Sequence, residues 1–252
     1  MSKNLQDKKV VVTRTRSQAS SLVEKLEAQG ADVIEIPTIK ILPPDDKQEF
    51  VEGVSQVHTY DWIVFTSPNG VERFFEAFFT AYADARSLGG AKIAAVGPST
   101  AEKINSYRFA TDLMPDTYVA ESLVQTFADN ESMEHLTVLW VRGSEARDVV
   151  SKGLTALGAI VDECISYKTV AENEDPTGGK ARFAKEGADA ITFASSSSVE
   201  SFLNLNLTVD KTVQAISMGP VTTATLKANG FKNIVEAKES TIDGLVDAVA
   251  GV

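Results

Sequence analysis

The sequence predicts an α/β protein of two doubly wound parallel-sheet domains, similar in size and related by an internal repeat. Three observations predict this class: apolar runs of strand length, apolar positions at helical spacing between them, and self-similarity at a nearly constant offset. The segment KVVVTRTRSQASSLVEKLEAQGADVIEI, from Lys9, aligns with TVLWVRGSEARDVVSKGLTALGAIVDEC, from Thr137, at an offset of 128, so Arg14 meets Arg142 and Gly30 meets Gly158. The same offset sets DWIVFTSPNGVERF, from Asp61, on DAITFASSSSVESF, from Asp189. The second copy is then six residues shorter, and GPSTAEKI, from Gly97, meets GPVTTATL, from Gly219, at an offset of 122. YVAESLV, from Tyr118, meets STIDGLV, from Ser240, at that same offset of 122.

Taken in order, the strand-like runs of the first copy are Val10–Thr13, Val33–Ile36, Trp62–Thr66, Ile93–Val96 and a weaker one near Leu113. Their counterparts are Val138–Val141, Val161–Ser166, Ala190–Ala194, Ala215–Met218 and Ile234–Ala237. Near-continuous apolar strands of this kind are buried on both faces of a parallel sheet. Between them, Ala19, Leu22, Val23 and Leu26 repeat at helical spacing and are closed by Gly30. Val149, Val150, Leu154 and Leu157 do the same and are closed by Gly158, as a left-handed C-cap requires. The segments Leu42–Gln48 (LPPDDKQ) and Ala171–Lys180 (AENEDPTGGK) are charged and rich in Pro or Gly, and read as connections. Both fall after the second strand of a copy, so crossings there assemble one domain from the chain ends and the other from its middle.

Composition narrows the chemistry. Lys+Arg 24 against Asp+Glu 35 gives a net charge of −11, which argues against general nucleic-acid binding. The single Cys164 excludes an internal disulfide and fits a reducing cytoplasm. The N-terminal residues carry no apolar stretch of signal-peptide length, and no run is long enough to span a membrane. His58 and His135 are the only histidines, which leaves a zinc site or a Ser-His-Asp triad poorly supplied, and no metal site is expected.

In open parallel sheets a ligand binds beyond the carboxyl ends of the strands. Those ends carry Thr13-Arg14-Thr15-Arg16-Ser17, Thr66-Ser67-Pro68-Asn69-Gly70, Gly97-Pro98-Ser99-Thr100, Arg142-Gly143-Ser144, Ser195-Ser196-Ser197-Ser198 and Gly219-Pro220-Val221-Thr222. Each reads as a short hydroxyl- or amide-bearing turn that caps and opens a helix, with N–H groups left over for an anion. Capping alone is the plain reading of any one such turn. Equivalent turns on both copies, with arginines added, favour carboxylate or phosphate. No GxxxxGK[ST], GxGxxG or GxSxG pattern occurs, so nucleotide binding and a serine nucleophile lack support.

Together, VTRTRSQASSLVEKLEAQGADVIEIPTIKI, SPNGVERF, GPSTAEKI, VRGSEARDVV with LGAIVDECISYKTV, SSSSVESF and GPVTTATL resemble the uroporphyrinogen-III synthase family over nearly the whole chain. The resemblance implies flavodoxin-like domains of residues 1–38 plus 171–252 and 42–166, joined by a two-stranded linker (39–41 and 167–170) with a cleft between them. It implies a lyase that needs no cofactor. The linear tetrapyrrole hydroxymethylbilane loses water and closes with its ring D inverted, in haem biosynthesis. The eight carboxylates of that substrate give the arginines and helix N-termini a use.

By the same resemblance Tyr167 assists departure of the hydroxyl. The carboxylate contacts would be Thr13, Arg14, Arg16, Ser67, Asn69, Gly70, Ser99, Thr100, Arg142, Ser144, Lys168, Ser195, Ser196, Ser197, Pro220 and Thr222, with Lys168 a weaker choice, as is Arg147. A structural aromatic role for Tyr167 and a pairing of Arg14 or Arg142 with a nearby Asp remain the plain alternatives. A cytoplasmic monomer that receives its substrate by transient hand-over from hydroxymethylbilane synthase completes what the family implies. A non-catalytic, two-lobed binder of a small anionic ligand is the rival reading.

Overall fold

The computed structural model describes residues 5–251, apart from the side chains of residues 16–18. The chain divides into two compact units, residues 1–40 with 170–252, and residues 41–169.

The first unit contains β1 (Lys9–Val12), α1 (Arg16–Glu27), β2 (Asp32–Glu35), α7 (Gly179–Glu186), β8 (Ala190–Phe193), α8 (Ser196–Leu203), β9 (Gln214–Ser217), α9 (Pro220–Ala228), β10 (Ile234–Glu236) and α10 (Ile242–Val249). Its strands form one parallel sheet in the order β10-β9-β8-β1-β2. That is the doubly wound order, which reverses direction between β1 and β8. Alternate residues of β1 face opposite sides, so Val10 and Val12 enter one buried cluster and Val11 the other.

The second unit contains β3 (Ile39–Leu42), α2 (Lys47–Ser55), β4 (Trp62–Phe65), α3 (Pro68–Ala81), β5 (Lys92–Ala95), α4 (Pro98–Ser106), α5 (Ala120–Asn130), β6 (Thr137–Gly143), α6 (Val149–Ala156) and β7 (Ile160–Ala171). The sheet order is β3-β7-β6-β4-β5, with β7, β6, β4 and β5 mutually parallel. Here Ile63 and Phe65 of β4 face one core, while Trp62 and Val64 face the other. The order reverses between β6 and β4. Each unit thus joins the first half of one repeat copy to the second half of the other. Repeat-equivalent strands, β1 with β6 and β8 with β4, flank the two reversal points.

Several local expectations shift. Most strands end about one residue sooner than the apolar pattern suggests, for example at Phe65 rather than Thr66 and at Ser217 rather than Met218, whereas β6 and β7 run on past Val141 and Ser166 to Gly143 and Ala171. The trailing residue still donates to the ladder, as Val96 N does to Phe65 O at 3.0 Å, but its neighbour has already turned toward a helix. The weak run near Leu113 makes a single bridge to Ala94, not a strand. The stretch read as the connection Leu42–Gln48 is shorter, because Leu42 ends β3 and Lys47 already opens α2. Gly30 and Gly158 have φ of 89° and 93°, so the left-handed helix ends are present.

Candidate functional site

At the reversal point of the second unit, β6 and β4 send their connections apart and leave a cavity of about 310 Å³. Thr66 and Ser67 line it from the end of β4, Gly143, Glu145 and Ala146 from the end of β6, and Tyr167 and Thr169 from β7. The Tyr167 hydroxyl lies 2.8 Å from Ser67 Oγ. Ser67 is also the N-cap of α3 and accepts a hydrogen bond from Gly70 N at 3.0 Å. The tyrosine ring lies close against Gly143, where a Cβ would sit 2.8 Å from its Cζ. A register shift between Arg142 and Gly143 lets Ser144 N donate to Tyr167 O at 3.0 Å, which fixes the backbone behind the phenol. Thr66 accepts from Trp140 Nε1 at 3.3 Å. Ser144 Oγ is buried and has no partner among the described residues.

Arg142 does not face this cavity as a free cation. It is 5% exposed, is ion-paired to Glu163 and, at 3.1 Å, to Asp148, and donates to the carbonyls of Ala146 and Gly143. Its guanidinium also stacks 4.4 Å from the Trp140 ring. The plain alternative of structural pairing therefore holds for Arg142, which shapes the 143–148 loop instead of offering charge to a ligand. That loop also separates Arg142-Gly143-Ser144 from α6, so this turn does not open a helix directly.

At the reversal point of the first unit, Arg14 occupies the place that Arg142 holds in the repeat, with the opposite result. Arg14 Nε is buried without a hydrogen-bond partner among the described residues. Burial draws its pKa below the ordinary arginine value, with no carboxylate contact among the described residues to offset it. Beside it, Thr15 is buried and Thr15 Oγ1 is also unpartnered. Three of the five orphaned buried side-chain atoms among the described residues therefore sit at the β1 and β6 ends (Arg14, Thr15, Ser144), where a ligand would satisfy them.

The first and last of the four serines, Ser195 and Ser198, form a capping box. Ser195 Oγ accepts from Ser198 N at 3.2 Å, and Ser198 Oγ accepts from Ser195 N at 3.2 Å. Ser197 Oγ lies 2.9 Å from Ser195 Oγ, and Ser196 Oγ accepts from Thr225 Oγ1 at 2.8 Å. The backbone N–H groups of Ser196 and Ser197, the first two of α8, have no helical acceptor.

Other expected contacts change with the structure. Thr13 is fully buried and donates to Thr192 O at 2.7 Å, a stitch between β1 and β8 and not a ligand contact. Thr100 and Thr222 are buried inside the first turns of α4 and α9, whereas Ser99 and Pro220 are exposed there. Those two helices begin at Gly97 and Gly219, and α1 at Thr15, without side-chain caps, so hydroxyl capping is confined to Ser67 and Ser195 among the six turns. Lys168 is paired with Asp45, and Arg147 with Glu121 at 2.7 Å. Asn69 and Gly70 sit in the first turn of α3, with the Gly70 N–H already used by Ser67. The side chain of Arg16 lies outside the described residues.

Nothing in the sequence points to Glu145, Ala146 and Thr169 as cavity residues, and Thr66 and Gly143 fall in strand-end turns without being named as contacts. Gly143 had one usable signal, since it stands where the other copy has Thr15. Larger hollows of about 420 and 470 Å³ lie at the amino ends of strands, around Trp62 and Lys92 and around Lys9 and Asp189, and one of about 590 Å³ lies between the end of β10 and α10, around Glu236 and Asp243. Among the described residues no cluster of three or more His, Cys, Asp or Glu could hold a metal ion, and no helix is long and apolar enough to cross a membrane.

The family described as Uroporphyrinogen-III synthase HemD matches residues 20–247. The uroporphyrinogen-III synthase of Synechococcus elongatus is 31% identical, over 96% of this chain and 94% of that protein. The porphyrin biosynthesis protein HemD of Ruminiclostridium josui is 29% identical over 98% of this chain, which spans about half (49%) of that longer relative. Among solved structures, uroporphyrinogen-III synthetase from Helicobacter pylori superposes with a TM-score of 0.65 at 14% identity, covering 97% of this chain and 99% of that one. A mutant uroporphyrinogen III synthase from Thermus thermophilus gives 0.62 at 16% identity, covering 95% and 96%. At such identities these two likenesses speak to the fold alone.

Proposed function

The chain belongs to the uroporphyrinogen-III synthase HemD family, and from that premise we propose that it closes hydroxymethylbilane into uroporphyrinogen III, with Tyr167 assisting loss of water. This is cofactor-independent lyase chemistry in tetrapyrrole biosynthesis. The observation that carries the site assignment is the phenol of Tyr167, hydrogen-bonded at 2.8 Å to Ser67 inside a cavity at a sheet reversal point.

The phenol proton passes to the terminal hydroxyl of the substrate as its C–O bond breaks, and water leaves. The resulting azafulvene is a reactive cation. Ring D attacks it through its substituted carbon, and the spiro intermediate reopens and recloses with ring D inverted. The last ring carbon then gives up its proton, restoring the balance. The uncatalysed chain closes to the uninverted isomer, so the protein's work is mainly to hold one geometry, which contributes on the order of 7–11 kcal/mol. Arg14, Asn69, Ser99 and the Ser195–Ser197 edge are the proposed carboxylate contacts, supported by the unpartnered Arg14 and the open first turns.

The proposal extends to a cytoplasmic monomer supplied directly by hydroxymethylbilane synthase. The lone Cys164, the net charge of −11 and the lability of the linear substrate support it. Replacing Tyr167 by Phe tests the donor role. We expect slower turnover without its abolition, because positioning survives the loss of one hydroxyl, whereas unchanged turnover rejects the role.

A further inference from the structure

We propose that Ser67 is a positioning residue for Tyr167: its hydroxyl donates to the phenol oxygen and thereby turns the phenol's own proton into the cavity. This rests on the proton-donor reading of Tyr167.

A serine hydroxyl has one proton and two acceptor sites. One acceptor site of Ser67 Oγ is taken by Gly70 N at 3.0 Å, the third residue of the 14-residue helix α3. That N–H and the positive end of the helix polarise Oγ and make its own proton a better donor. The other hydrogen-bond partner of Ser67 Oγ among the described residues is the Tyr167 oxygen, at 2.8 Å. If Ser67 donates, the phenol oxygen is the acceptor, and its proton is left to point at whatever oxygen occupies the cavity. In the opposite sense, the phenol proton would be spent on Ser67 and withheld from substrate.

The remaining constraints serve the same end. Gly143 lets the ring lie where a Cβ would come within 2.8 Å of Cζ and 3.0 Å of the hydroxyl oxygen. The bond from Ser144 N to Tyr167 O holds the strand at 3.0 Å. The phenol is thus fixed from behind by β6, from one side by the head of α3, and is open on the side of the cavity.

The test is a double-mutant cycle of Ser67→Ala and Tyr167→Phe, followed as kcat and KM for isomer III formation from hydroxymethylbilane. With Tyr167 present, Ser67→Ala should lower kcat about 5- to 10-fold and leave KM within about twofold, the scale of one hydrogen bond. In the Tyr167→Phe background the same change should have almost no further effect, and Ser67→Thr, which keeps the hydroxyl, should restore kcat. An equal loss in both backgrounds overturns the inference, because a cap or a substrate contact would act without the phenol. A kcat unchanged or raised by Ser67→Ala overturns it too, since the phenol would then be the donor. Should Ser67→Ala not fold, Ser67→Cys, which keeps the volume but donates weakly, takes its place in the cycle. If Tyr167→Phe alone leaves kcat unchanged, the donor reading itself has failed. If it slows turnover while the cycle is additive, only the role of Ser67 has.

Discussion

Arg14 and Arg142 hold the same position in the repeat, and their neighbours decide what each does. Arg142 has Asp148 and Glu163 within reach, whereas at the offset of 128 Ser20 stands in place of Asp148, and Glu35, in place of Glu163, makes no ion pair with Arg14 among the described residues. An arginine stays protonated at any working pH, so Arg14 is a partly buried cation, which the proposed function assigns to a substrate carboxylate. Replacing Arg14 by Met should raise KM for the substrate about tenfold or more while leaving the melting temperature unchanged or higher. A drop in melting temperature would mark it as structural. Arg142→Ala should do the reverse and cost about 2–3 kcal/mol of stability, because its carbonyl and carboxylate partners lose their shared donor. Chemical denaturation of the two variants separates the cases. Cys164, whose thiol is pushed up to about 12 mainly by burial, should resist alkylation at pH 8 until the protein unfolds, as counted by mass spectrometry.

Helix starts show how far residue patterns reach. At Ser67 and Ser195 the serine is the cap, and its role was legible because the strand before it and the helical spacing after it leave one residue in the N-cap position. At Gly97 and Gly219 the hydroxyls of Thr100 and Thr222 lie one turn too far along and are buried, so the same composition misleads. Ser195→Ala, which removes the Oγ that accepts from Ser198 N and leaves the Ser198 half of the capping box in place, should cost about 1 kcal/mol. Gly153 makes the opposite point. Alanine there gains about 1 kcal/mol of helix propensity, yet its Cβ would meet Val124 Cγ1 at 2.6 Å where α6 packs on α5. Val124 is β-branched and stiff, so Gly153→Ala should lower the melting temperature, and a rise would show that α5 gives way. Nothing in the sequence revealed this contact, because it joins two helices through a shape and not through a pattern.

For the whole molecule, the repeat was the most informative signal. It carried the α/β class and the equivalence of the strand ends, since each copy repeats the same alternation of apolar run and helical stripe. The Tyr167 cavity was only partly legible. Ser67 and Tyr167 lie 100 residues apart and meet because β4, β6 and β7 are neighbours in one sheet, an arrangement that no local spacing encodes. Charge gives a prediction at this scale. Asp148 is held below the usual carboxylate range by its hydrogen bond from Arg142, Glu121 by that from Arg147 and Glu186 by that from Lys9. Because the folded values are lower than the unfolded ones, their stabilising contribution is present above the unfolded values and fades as pH falls through the folded ones. The unfolding midpoint should therefore hold down to about pH 5 and decline below about pH 4, and a midpoint constant to pH 2 would contradict these pairings.

The most direct measurement is the isomer made from hydroxymethylbilane. The protein is added to the linear substrate and the macrocycles are oxidised and separated. A large excess of isomer III over the spontaneous isomer I, proportional to protein added, is the expected result. Isomer I alone, formed at the rate seen without protein, would contradict the assignment and favour a binder of small anions.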